Sequence, residues 1–157
     1  MRLFKIVPIV GLCAASFLSV SAVADNHIKQ IVNLESKMCV DATSEEGVVQ
    51  QSLCNPALKG QQWEFKDDKF VNQNWPTQCL DIYAVQDQPM LNTVQTSKCE
   101  DWKEAQKWTE EKSGLIKNHY TGQCLAAPGK KELGPIKAVP CQNRGSFQTW
   151  RDRKSVV

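Results

Sequence analysis

At 157 residues, 41% of them hydrophobic and 23% charged, the chain can bury one sizeable core, and a second domain is not expected. With 19 Lys and Arg against 17 Asp and Glu, it lacks the concentrated basic face on which a polyanion partner depends, so nucleic-acid binding is not expected. The 7 cysteines point to disulfides more than to metal, because no Cys-x-x-Cys occurs and the 2 histidines, His27 and His119, stand apart.

The first stretch, "MRLFKIVPIVGLCAASFLSVSAVADN", places Arg2 and Lys5 before an apolar run that closes on Ala22, Val23 and Ala24. This is the three-part pattern of a secretory signal peptide, residues 1–24, with cleavage after Ala24. A membrane anchor fits less well, since Pro8, Gly11 and several serines interrupt the run; a lipoprotein site at Cys13 is disfavoured by Leu12 before it. The remainder, 157 less 24 residues, is expected to be secreted or periplasmic, without a membrane span, and carries six cysteines with 17 basic and 17 acidic side chains.

Three similar units follow, expected at about residues 28–68, 69–113 and 114–152 of a single domain, 25–157. Aligned on a first cysteine they read "IVNLESKMCVDA" from 31, "VNQNWPTQCLDI" from 71 and "IKNHYTGQCLAA" from 116. Each goes on to a second cysteine, eight residues and a tryptophan: "CNPALKGQQW" from 54, "CEDWKEAQKW" from 99 and "CQNRGSFQTW" from 141. Gln61, Gln106 and Gln148 each stand two before Trp63, Trp108 and Trp150. A spacing in the low forties also fits propeller blades or helical repeats. Runs such as "GVVQQSLC", "NTVQTSKC" and "IKAVPC", punctuated by Gly, Pro, Asn and Asp, predict strands of four to six residues joined by turns. Three units are too few for an open solenoid without caps, whereas a closed barrel removes most exposed edges. The final "RDRK", 151–154, is broken by Asp152 and reads as a solvated terminus.

A first cysteine, a second cysteine and then Gln-x-Trp in all three units, with Cys-Leu/Val-Asp at the first cysteine of the first two, resembles the ricin B-type lectin domain across roughly residues 28–152. The resemblance implies an all-β fold, a β-trefoil of three four-strand units about a pseudo-threefold axis, with Trp63, Trp108 and Trp150 in the shared core. Six cysteines allow fifteen pairings; the threefold repeat favours Cys39–Cys54, Cys79–Cys99 and Cys124–Cys141.

The same resemblance implies a sugar site: an Asp two after the first cysteine, a Gln four before the second, an aromatic two before it, and a closing Asn–Gln pair. The first unit keeps Asp41, Gln50 and Gln61, with Ser52 at the aromatic position and Gly60 at the asparagine. The second keeps Asp81, Gln95 and Gln106, with Ser97 and Ala105 at those positions. Tyr83 and Trp102 lie close enough in sequence to supply a substitute stacking surface; the alternative is that both pack locally and that the two Asp serve tight turns. The third unit has Ala126 for the Asp and Lys137 for the Gln, which argues against a galactose-type site there. Trp75, before Pro76, reads as a packed strand-end residue.

No Gly-rich phosphate loop, "GxSxG" or paired nucleophile and base is present, so neither an enzyme nor a cofactor is expected. The leading expectation is a secreted carbohydrate-binding protein for a galactose-type hexose, of the kind that serves as the recognition subunit of a larger assembly or toxin. The alternative is an interaction protein that keeps the trefoil with degenerate sugar sites and docks another protein subunit or acts as an inhibitor.

Overall fold

The computed structural model describes residues 28–83, 92–130, 133–142 and 146–154. The proposed signal peptide, 1–24, lies outside the described residues. Among the described residues the chain forms strands and three one-turn 3-10 helices, with no α-helix, and no helix long and apolar enough to cross a membrane.

The first unit contributes β1 (Ile28–Asn33), β2 (Cys39–Ala42), β3 (Gly47–Ser52) and β4 (Trp63–Lys66). The second contributes β5 (Lys69–Asn72), β6 (Gln78–Tyr83), β7 (Thr93–Lys98) and β8 (Trp108–Glu110). The third contributes β9 (Ile116–Asn118), β10 (Cys124–Ala126), a two-residue β11 (Gly134–Pro135), β12 (Lys137–Val139) and β13 (Trp150–Lys154). The last strand of each unit pairs antiparallel with the first of the next, β4 with β5, β8 with β9, and β13 back to β1. These six strands make the barrel. The remaining hairpins, β2–β3, β6–β7 and β10–β12, join one another through β3–β7, β7–β12 and β11–β3, and so close one end as a triangle. This is a β-trefoil, and cyclic closure of both layers leaves little free sheet edge.

The tryptophans do the same work three times. Trp63, Trp108 and Trp150 are 0%, 0% and 4% exposed. Their Nε1–H groups donate to the carbonyls of Val40 (3.1 Å), Leu80 (3.0 Å) and Leu125 (2.9 Å), each the residue after a unit's first cysteine. A large apolar ring with one polar atom can be fully buried when that atom finds a carbonyl. Around them Ile31, Val40, Val49, Phe70, Leu80, Val94, Ile116, Leu125 and Ile136 complete a single core. Trp75 packs against this core, partly buried, as expected, but it lies in the turn between β5 and β6 and not at a strand end.

The disulfides are Cys39–Cys54, Cys79–Cys99 and Cys124–Cys141, each within one unit. The "RDRK" stretch departs from the sequence expectation of a solvated terminus. Its described side chains are exposed, but its backbone is β13, in register with β1 from Lys29↔Lys154 to Asn33↔Trp150. Pairing with β1 gives these backbone groups partners that a free tail would have to find in water.

Candidate functional site

The site positions implied by the sequence fall on facing strands of each capping hairpin. Asp41 lies opposite Gln50, Asp81 opposite Gln95, and Ala126 opposite Lys137. The position expected to hold an aromatic lies opposite the first cysteine, as Ser52, Ser97 and Val139. Antiparallel partners share a face of the sheet, so each unit brings the implied pair together.

What surrounds the pair differs between units. In the second, Asp81 Oδ2 accepts hydrogen bonds from Ser97 Oγ, Lys103 Nζ and Gln106 Nε2 (3.5 Å), and the side chain is 0% exposed. Its Oδ1 is buried with no hydrogen-bond partner among the described residues. Asp81 thus serves neither a turn nor an open surface; it sits on a central strand position beneath Lys103. In the first unit Asp41 is 8% exposed and accepts one bond from Gln61 Nε2 (3.2 Å). Gln50 Nε2 donates to Ser52 Oγ at 3.3 Å. Gly60 fits where the family has an asparagine because the backbone is crowded: a Cβ there would lie 2.3 Å from the Ala42 carbonyl oxygen and 3.1 Å from Asp41 Oδ1.

Gln61 and Gln106, grouped with the binding residues by the sequence, are both 0% exposed. Each ends a one-turn 3-10 helix and clamps the loop after the second cysteine. Gln61 accepts from Asn55 N (2.8 Å) and donates to Leu53 O (3.0 Å); Gln106 accepts from Glu100 N and donates to Lys98 O, both at 2.8 Å. Gln148 repeats the pattern with Gln142 N and Pro140 O. All three hold the loop, and Gln61 and Gln106, fully buried, also support their unit's Asp from behind.

The open part of the second unit is a groove of about 460 Å³ lined by Tyr83, Gln95, Trp102, Lys103, Glu104 and Tyr120, among others. Tyr83, Trp102 and Tyr120 are 58%, 75% and 63% exposed, so the two aromatics singled out by the sequence do not pack locally. Tyr83 follows Asp81 by two along β6 and shares its face. Trp102 sits in the turn after Cys99, whose neighbour Asp101 receives a hydrogen bond from the buried Lys69 at 2.6 Å. That bond and the ammonium charge hold the Asp101 carboxyl below its usual range. Glu104 is held by Lys107, whose hydrogen bond also lowers its pKa.

Tyr120 was not legible, because it belongs to the third unit. Asn118 places it: its side chain accepts from Tyr120 N (3.1 Å) and Thr121 N (3.2 Å) and donates across the unit boundary to Ala105 O (2.9 Å). Asn33 and Asn72 make the equivalent tie to Phe147 O and Gly60 O, each at 2.9 Å. Asn33 and Asn118 stand six before their cysteines and Asn72 seven, so alignment on cysteines alone conceals the match. In the third unit the corresponding region is a cavity of about 410 Å³ lined by Ala126, Ala127, Pro128, Pro135, Lys137 and Val139, with no carboxylate among the described residues that line it.

A three-unit barrel whose core is tiled by Gln-x-Trp, with an Asp–Gln pair on two capping hairpins, defines a β-trefoil of the lectin type. The chain belongs to the ricin-type β-trefoil lectin domain family, whose model matches residues 27–150. No curated protein sequence matches it. Among solved structures it is similar to the hemolytic lectin CEL-III, with TM-score 0.67 and 22% identity over 82% of this chain and 33% of that one. It is also similar to a non-toxic homologue of type II RIPs from Momordica charantia in complex with α-methyl-D-galactoside, with TM-score 0.69 and 19% identity over 80% and 47%. A third is the Vibrio vulnificus hemolysin/cytolysin β-trefoil lectin with N-acetyl-D-lactosamine bound, with TM-score 0.68 and 19% identity over 83% and 96%. The chain therefore spans a third to a half of the first two proteins and nearly all of the isolated lectin domain.

Proposed function

We propose that this chain is a glycan-binding module acting outside the cytoplasm, with its working site in the second-unit groove and a galactose-type hexose as the reference ligand. The observation that carries this reading is the convergence of Tyr83, Trp102 and Tyr120, all exposed, on one groove beside Gln95 and Lys103. A pyranose has an apolar C–H face and a polar rim, and an aromatic platform flanked by amide and ammonium groups complements both. Membership of the lectin family and the sugar ligands of two neighbours, a galactoside and the disaccharide N-acetyl-D-lactosamine, support the same class. Three intra-unit disulfides fit an oxidising compartment, in line with the signal-peptide pattern of residues 1–24. One shallow groove makes few contacts, so affinity near millimolar is expected unless several sites act together.

A second reading, a trefoil that docks another protein subunit, is favoured by the covered carboxylate of Asp81 and the missing one at Ala126. A glycan array separates the two. Signal that a simple hexose competes away supports the lectin; a silent array with another chain co-purifying stoichiometrically supports the docking protein.

A further inference from the structure

We infer that Lys103 is the specificity-determining residue of the second-unit groove, turning it from a site that accepts hydrogen bonds from sugar hydroxyls into one that donates to a carbonyl-type oxygen on the sugar. This rests on the glycan-binding reading above. The carboxylate that would receive hydroxyl donors is closed to the groove: Ser97, Lys103 and Gln106 converge on Asp81 Oδ2, and Oδ1, without a hydrogen-bond partner among the described residues, is buried with the rest of a side chain that is 0% exposed. Above it, the Lys103 side chain is 29% exposed and lines the groove. An ammonium has three donors and no acceptor. Asp81 is the partner the structure gives Lys103 Nζ, which leaves donor capacity toward the groove. Glu104, the other charged group in the lining, is engaged by Lys107.

The lysine is not a requirement of the fold. It precedes Gln106 by three, at the start of the 3-10 turn, and the first unit has Leu58 at that place before Gln61, with an Asp41 that no ammonium among the described residues covers. Because Lys103 and Asp81 neutralise each other, long-range attraction is not what selects the ligand. Selection comes from contact chemistry, three aromatic faces for the apolar side of a pyranose and an ammonium for an sp² oxygen at its edge. Such an oxygen is found on a 2-acetamido group or on a uronic carboxylate, and hydrogen bonds from a charged donor to it are stronger than those to a neutral hydroxyl.

The test is titration of the disulfide-intact protein with three matched sugars, galactose, N-acetylgalactosamine and galacturonate, in wild type, Lys103→Met and the charge-free pair Asp81→Asn with Lys103→Met. Wild type is expected to prefer N-acetylgalactosamine or galacturonate, which carry the sp² oxygen, over galactose by about tenfold, and both variants to lose that preference. The preferred sugar itself identifies the source: a preference for galacturonate marks a carboxylate oxygen, and a preference for N-acetylgalactosamine an acetamido oxygen. The double variant covers the case in which Lys103→Met alone, leaving a buried carboxylate without its counterion, fails to fold; the wild-type ratio needs no variant. Equal wild-type affinity for all three sugars, with binding lost in Trp102→Ala, would overturn the role of Lys103 and leave the glycan site standing. A preference that survives in the folded double variant would overturn it as well. Binding of none of the three sugars would remove both readings.

Discussion

Gln106 and Trp108 are two residues apart and hold different things: the amide fixes a loop, the indole fills the core. Trp108→Ala is expected to cost about 3–5 kcal/mol, a large share of a typical total of about 5–15 kcal/mol, so a thermal melt should show a severely weakened or unfolded protein. Gln106→Leu keeps the bulk but leaves Glu100 N–H, Lys98 C=O and Asp81 without that partner. Its cost should be on the order of 1–3 kcal/mol, read from denaturant midpoints, with the core fluorescence of Trp108 unchanged. These two residues also mark what a sequence can disclose at this scale. A repeated Gln-x-Trp announces itself through register, but whether its Gln faces a ligand or a loop depends on what lies behind the strand, and only the fold places Leu53 and Lys98 carbonyls there. Lys103 carries no repeat at all, since its first-unit counterpart is Leu58, and no pattern could have flagged it.

Two elements are open to direct perturbation. The β4–β5 hairpin turns through Asp67 and Asp68 with φ of 50° and 59°, between the paired Lys66 and Lys69. Two left-handed residues are what a two-residue hairpin turn requires, and Asn-Gly supplies them with less strain. Asp67→Asn with Asp68→Gly should therefore raise stability by up to about 1 kcal/mol, seen as a melting temperature a few degrees higher. The Trp102 turn is held at Asp101 by Lys69, itself 6% exposed. The Asp101 carboxyl is lowered below its ordinary value of 3.8 by that hydrogen bond and charge, so its stabilisation is present above that value and is lost as pH falls through the lowered one. Asp101→Asn should melt below wild type at neutral pH, and the gap should narrow progressively once pH drops beneath about 4. A gap independent of pH would mean that the pair does not hold the turn. Strand runs were legible because the turn residues that punctuate them are local; Tyr120 was not, because unit-to-unit closure brings it to Trp102 from the other side of a boundary.

At the scale of the whole molecule, threefold closure explains both the stability and the asymmetry of this protein. The same Trp–carbonyl bond, Gln clamp and Asn tie recur in every unit, and the first two rest on the repeated Cys and Gln-x-Trp positions from which the closed threefold fold and the disulfide pairing could be read. Peptide mapping under non-reducing conditions should recover Cys39–Cys54, Cys79–Cys99 and Cys124–Cys141, and a bridge between units would contradict the repeat. Function depends instead on how the units diverge: an Asp with one partner in the first, a lysine-covered Asp beneath an aromatic groove in the second, an alanine in the third. Those differences arise from side chains meeting across the sheet, and a linear motif cannot score them. The most direct measurement is a sugar titration followed through the indole N–H resonances of the 5 tryptophans. Trp102 should shift and saturate with N-acetylgalactosamine or galacturonate while Trp63, Trp108 and Trp150 stay in place; a Trp102 resonance that no hexose moves at tens of millimolar, roughly ten times the affinity expected of a single shallow site, would contradict the second-unit groove as a glycan site.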